Sequence, residues 1–312
     1  MVHPLAVVAL GGHSLLPKGE RPTVKKQFTH TRRAMLRIVA MLKKGWDVVL
    51  THGNGPQVGN ILIRSEIAAG KAYAIPLSVA VAESGGEIGY IIQQSLHNEF
   101  QRARLKRAVV TVLTQVRVDP SDMAFQNPTK PIGPFYTSAQ AASLEKRNIP
   151  VTFVTGYGWR RVVASPHPIE MIEADTVRRL ASEDVVVIAA GGGGIPVVQQ
   201  SGRLKGVDAV IDKDLASSCL AKALQADLLV MLTDVRFVAL WFGTPNQKNL
   251  SQMTVAQAEQ WLKEGHFPPG SMGPKVEAAI EFAKSTGNRA IISTPEVLDS
   301  ALEGNDGTTI SP

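Results

Sequence analysis

The residues whose types and spacing could do chemistry are lysines beside turn-forming glycines and prolines. Lys130 stands in Asn127-Pro128-Thr129-Lys130-Pro131-Ile132-Gly133-Pro134, Lys213 lies between Asp212 and Asp214, and Lys275 follows Gly270-Ser271-Met272-Gly273-Pro274. A lysine on a turn is ordinarily just solvated. Acids at a helix start ordinarily serve the helix dipole, at under about 1 kcal/mol each. The chemistry that would use all of them together is phosphoryl transfer, which needs positive charge spread over donor, moving group and acceptor and little covalent help. An acceptor that is already anionic at neutral pH, such as a carboxylate, needs no general base. That suits a chain without a convincing His–carboxylate dyad. One of Asp208, Asp212 and Asp214 would then hold the lysines against their mutual repulsion.

Glycine loops are the second theme. Gly11-Gly12-His13-Ser14, His52-Gly53-Asn54-Gly55-Pro56 and Gly191-Gly192-Gly193-Gly194 each follow an apolar run. Such loops let backbone N–H groups approach anionic oxygens, and a following helix adds a partial positive end. A tight strand–helix turn gives the same string, so one loop alone says little; three after three apolar runs point to an anion site. None of them reads G-x-G-x-x-G, and no G-x-x-x-x-G-K-[ST] P-loop is present, so dinucleotide and P-loop cradles are disfavoured.

The elements that must position these groups are legible as an alternation. Leu5 to Leu10, Asp47 to Thr51, Ala108 to Thr114, Val185 to Ala190, Asp227 to Thr233 and Ala290 to Ser293 are short, continuously apolar runs. They predict strands of a sheet covered on both faces. Between them Met35, Ile38, Val39 and Leu42, then Ile88, Ile91, Ile92 and Ser95, follow helical spacing. The expected fold class is α/β, with a mostly parallel sheet whose strand ends carry the ligand. The stretch Asp119 to Pro168 interrupts the rhythm with Pro128, Pro131, Pro134, Pro150 and Pro166. Its aromatics Phe135, Tyr136, Phe153, Tyr157 and Trp159 predict a small folded insertion, with a helix over Thr137 to Arg147 and a strand over Val151 to Thr155.

With 312 residues, 44% of them hydrophobic and 19% charged, the chain can bury a large core. A net charge of +6 could draw nucleic acid, but the cations are scattered and aromatics are only 5%, which favours small anions such as nucleotides. Cys219 is the single cysteine, so neither a disulfide nor a thiolate zinc site is available, and it reads as a core thiol. No secretory leader or membrane-length apolar run stands out, so a cytoplasmic protein is expected.

These strings, in this order, resemble the carbamate kinases of the amino acid kinase family. The resemblance runs from Val7 to the C-terminus. It is most specific at Thr51 to Gly59, Pro128 to Tyr136, Gly156 to Val163, Gly206 to Ser217 and Gly270 to Val276. It implies a three-layer αβα sandwich spanning 1–312, with 119–168 as an inserted lid subdomain. It implies ATP or ADP with Mg²⁺, carbamate or carbamoyl phosphate as the other substrate, and a homodimer. By the same resemblance Lys213 and Lys275 bridge the phosphates, Asp214 orients them, and Lys130 reaches in from the subdomain. Gly11, Gly12, His13, Gly53, Asn54 and Gly55 form the acceptor pocket; Asp234 and Gly273 lie by the nucleotide. Mg²⁺ rides on phosphates and water, leaving few protein ligands. Three positions depart from the pattern: His13 replaces the usual Asn, Arg236 follows Asp234-Val235, and Ala164 stands where Pro is common. A different carboxylate acceptor, or a nucleotide-binding relative weakened by His13, stays open at this level.

Overall fold

The structure is a computed structural model that describes residues 3–11 and 23–312, so Gly12 and His13 lie outside the described residues. Strand Leu5–Leu10 runs through the middle of an eight-stranded sheet. The order is Gln252–Thr254, Thr308–Ser311, Ala290–Ser293, Leu228–Leu232, Leu5–Leu10, Asp47–His52, Val185–Ile188, Ala108–Thr111. Neighbours run parallel except Ala290–Ser293 against Thr308–Ser311.

The continuous apolar character of these strands has a direct cause. Successive side chains point to opposite faces, and both faces are covered. Val7, Ala9, Val49, Val187, Leu229 and Met231 join one core with helices Ala174–Ser182, Lys213–Leu224 and Met272–Thr286. Ala6, Val8, Leu10, Val48, Leu50, Ile188 and Val230 join another with helices Val24–Lys43 and Leu77–Ala103. The result is three layers, helix on sheet on helix. Each fully buried Val, Leu or Ile side chain contributes about 1.5–3 kcal/mol. The helical spacing is realised too: Met35, Ile38, Val39, Leu42, Ile88, Ile91, Ile92 and Ser95 are all buried. Thr23 caps the first of these helices, its hydroxyl accepting Lys26 N–H at 3.2 Å.

The run Ala108 to Thr114 does not stay in the sheet to its end. The strand stops at Thr111, and Thr114 Oγ accepts Ala190 N–H at 2.9 Å in place of a ladder bond. The chain then enters a second sheet, ordered Arg203–Gly206, Ile195–Gln200, Gln115–Val118, Pro168–Met171. Between those elements, residues 130–163 form a three-stranded antiparallel sheet, Lys130–Tyr136, Gly158–Val163 and Val151–Val154, with Gly158–Val163 in the middle. Helix Ser138–Glu145 starts with a capping box between Thr137 and Gln140. The aromatics here pack in pairs: Phe135 stacks on Tyr157 at 5.3 Å, and Phe153 meets Trp159 edge-on at 5.5 Å.

This small sheet touches the body through a close backbone crossing. A Cβ on Gly59, in helix Gly55–Ile67, would stand 1.9 Å from Gly133 Cα. Around the crossing, Val58, Ile61, Leu62, Ile132 and Val163 make a third core.

Candidate active site

Parallel strands place their C-terminal ends together, and in this sheet those ends belong to Leu5–Leu10, Asp47–His52 and Leu228–Leu232. Gly11 follows the first, and a Cβ there would meet Leu232 O at 2.6 Å, so only glycine lets the two strand ends approach this closely. Gly53 follows the second and lies against the aliphatic stem of Lys213, with room for a Cβ only 3.1 Å from Lys213 Cδ. Thr233 and Asp234 follow the third. Over these ends helix Lys213–Leu224 begins, its N-terminus directed at the site.

Lys213 and Lys275 come from elements far apart in sequence and converge on one carboxylate. Lys213 Nζ donates to Asp214 Oδ1 at 2.5 Å, and Lys275 Nζ to Asp214 Oδ2 at 2.9 Å. All three side chains are largely buried, with 13%, 12% and 4% exposed for Lys213, Lys275 and Asp214. Burial works against the Asp214 carboxylate, but the two ammonium charges outweigh it and hold the acid far below its usual range. Burial pushes Lys213 down, and its neighbour Lys275 adds to that. For Lys275, burial is outweighed by Asp214, Asp212 and Asp234, and its pKa rises. Lys130 Nζ donates to Asp212 Oδ2, so the third lysine joins the cluster from the inserted sheet. Three ammonium groups thus gather within reach of Asp212, Asp214 and Asp234, and each has further N–H donors to offer a bound anion.

Beside the lysines opens a cavity of about 370 Å³, within the range of small-molecule sites. Gly11, Lys213, Asp234, Ser271 and Lys275 form its polar end; Val235, Phe237, Phe242, Phe267 and Met272 form apolar walls. A wall of that kind, next to cations, takes an aromatic base at one end and phosphates at the other.

Residues 4–293 match the amino acid kinase family. The chain is 48% identical over 311 residues to a carbamate kinase of Pyrococcus horikoshii, covering 98% of each. The chain belongs to the amino acid kinase family, among the carbamate kinases. It is also 46% identical to a carbamate kinase-like protein of Escherichia coli, again over 98% of each chain. The structure of a Giardia lamblia carbamate kinase bound to AMP-PNP superposes with a TM-score of 0.92 at 42% identity, over 99% of this chain and 98% of that one.

Several expected residues of this family member sit differently from the simple picture. The Asn54 side chain is buried and turned inward, its Nδ2 donating to Ser84 Oγ at 2.8 Å, so only its backbone can face an acceptor. Gly192, at φ +69, is where the returning loop passes that amide; a Cβ would lie 2.2 Å from Asn54 Nδ2. The Gly191–Gly194 stretch leads into strand Ile195–Gln200 and packs against the Asn54 side chain, instead of offering a helix N-terminus. Gly55 opens helix Gly55–Ile67 with open space beside its Cα. Gly273 stands behind the cavity wall, its N–H donating to Pro268 O at 2.9 Å. Arg236 faces solvent, its side chain 59% exposed, and is held there by Asp306 through Nε at 2.6 Å and a second guanidinium nitrogen. Ala164 O accepts Val210 N–H at 3.0 Å and ties the inserted segment's exit to the loop before Asp212. Cys219 is buried, its thiol pushed up to about 11 by burial, which fits a core thiol.

The apolar walls escaped sequence reasoning, and Asp212 stood there only as one of three acids that could hold the lysines. Phe267-Pro268-Pro269-Gly270 just before the Lys275 helix was the available signal for one wall. Outside the cavity, His167, Glu277 and Glu281 lie close enough to share a cation, but Lys222 Nζ already bonds Glu281 at 2.7 Å there. Among the described residues no helix is long and apolar enough to cross a membrane.

Proposed function

We propose that this chain is a carbamate kinase that moves a phosphoryl group reversibly between ATP and carbamate, giving ADP and carbamoyl phosphate. The observation that carries the reading is the meeting of Lys213 and Lys275 on Asp214 at the mouth of the cavity. In the forward direction a carbamate oxygen bonds the γ-phosphorus as the bond to the β–γ bridging oxygen breaks, and that electron pair leaves with ADP. Carbamate is already an anion, so no proton has to be removed. Lys213 and Lys275 neutralise charge on the transferring oxygens, and Lys130 meets them from the inserted segment. Asp214 stays a carboxylate and keeps the two ammonium groups side by side. The backbone of Gly11, Gly53 and Gly55 supplies N–H groups to the acceptor.

The base of the nucleotide takes the apolar walls, and its phosphates run toward Ser271 and Lys275. Mg²⁺ fits this arrangement through Asp234, the carboxylate lining the cavity among the described residues, and through water. When bound it neutralises phosphate charge. Segment 119–168 acts as a lid that carries Lys130. The chain works in the cytoplasm as a homodimer; the exposed Val79 and Tyr90 share one face of helix Leu77–Ala103, with exposed Leu113 packed beside Gly85. Sedimentation should give twice the chain mass, and Tyr90→Glu should halve it.

The direct test mixes the protein with carbamoyl phosphate and MgADP and follows ATP by luciferase. ATP formation at a rate proportional to enzyme is expected; a folded protein that makes none overturns the reading.

A further inference from the structure

Asp212 has two carboxylate oxygens and two different tasks. Oδ1 accepts the N–H of Asp214 at 2.9 Å, which makes Asp212 the N-cap of helix Lys213–Leu224. Oδ2 accepts the ammonium of Lys130, the first residue of strand Lys130–Tyr136. Asp212 is extended, at φ −68 and ψ 126, and lies outside the helix, whereas Asp214 lies in its first turn. The alternation Asp212-Lys213-Asp214 therefore divides the cations between two acids: Asp214 takes Lys213 and Lys275, and Asp212 takes Lys130. Its side chain is 15% exposed and that of Lys130 29%, so the pair sits at the edge of the cluster with one side open to a ligand. Burial works against the Asp212 charge, and Lys130 leads the attractions that outweigh it and hold the carboxyl below its ordinary range.

A long, flexible side chain arriving from a separate small sheet needs such a partner. A free lysine samples many rotamers, and holding it in one costs entropy at the moment of reaction. A carboxylate fixed by its own capping bond spares that cost beforehand. We propose that Asp212 is the positioning residue for Lys130, aiming the inserted segment's ammonium at the path of the phosphoryl group while capping the helix that carries Lys213 and Asp214. The assignment rests on the reading of Lys130 as a phosphoryl contact. It separates the two neighbouring aspartates by role: Asp214 aligns the cations of the body, and Asp212 joins the cation of the inserted segment to them.

The experiment is a double-mutant cycle in the ATP-forming assay. Asparagine caps helices as well as aspartate does but carries no charge, so Asp212→Asn keeps the cap and breaks the ion pair with Lys130. From Lys213 and Lys275 it takes only a longer-range attraction, which the Lys130→Met background controls for. Its kcat should fall about tenfold or more, with the KM for MgADP and the melting temperature unchanged. In a Lys130→Met background the same substitution should alter kcat less than about twofold, because its target is gone. Asp212→Ser, another capping residue without charge, should repeat both results and serves if the asparagine variant folds poorly. Asp212→Ala should add a lower melting temperature. Equal losses with and without Lys130, or losses that track the melting temperature, overturn the assignment to Asp212 alone. A wild-type protein that makes no ATP overturns the functional reading beneath it.

Discussion

At the residue scale the site is a problem in keeping like charges together. Lys213 and Lys275 would repel each other in a buried place, and Asp214 removes that repulsion with one oxygen for each. Its own position is fixed by Asp212 through the Asp214 N–H. Behind it, Ser217 Oγ bonds both Lys213 O and Thr51 Oγ at 2.5 Å, linking the helix start to a strand end. Lys213→Ala and Lys275→Ala should each lower kcat by about a hundredfold or more, the scale of a lost oxyanion-type donor. Steady-state kinetics in the ATP-forming direction checks this; a change confined to KM would show that the lysines only bind. Asp214→Asn should leave two buried ammonium groups uncompensated and cost about 3–5 kcal/mol of stability in urea unfolding.

At the element scale the decisive contact is the crossing of helix Gly55–Ile67 over strand Lys130–Tyr136. The two backbones meet at Gly59 and Gly133, and Gly133 also needs φ +73. The same strand begins with Lys130, so the crossing sets where that ammonium can reach. Gly59→Ala places a methyl group where Gly133 Cα already lies. It should destabilise by about 1–3 kcal/mol and lower kcat, because the strand must back away and take Lys130 with it. Thermal melts and steady-state kinetics of the variant check both effects.

At the scale of the whole molecule, stability should depend on pH through His52. This residue ends a central strand and is fully buried, its Nδ1–H donating to Gly53 O at 3.1 Å; Nε2 has no partner. Burial pushes its pKa down to about 4 from 6.5. Between those values the unfolded chain binds a proton that the folded chain refuses. Stability should therefore be full above pH 6.5 and fall as pH drops toward 4, by about 3 kcal/mol in all. Urea unfolding at pH 7 and pH 5 checks the sign, and His52→Gln should flatten the slope. By itself the sequence determined the strand–helix alternation, the two-faced sheet, the folded insertion and the three lysines. Periodicity and turn chemistry are local, and each lysine stood in a distinctive string of glycine and proline. Only the tertiary structure decided that Lys130 pairs with Asp212 and not Asp214, that Gly191–Gly194 packs against the Asn54 side chain, and that Arg236 belongs to Asp306. It also brought Phe237, Phe242 and Phe267 into one cavity. These outcomes depend on which strand ends meet, and a strand order such as the one that sets Leu5–Leu10 beside Leu228–Leu232 is fixed by contacts more than two hundred residues apart, beyond the reach of any local pattern.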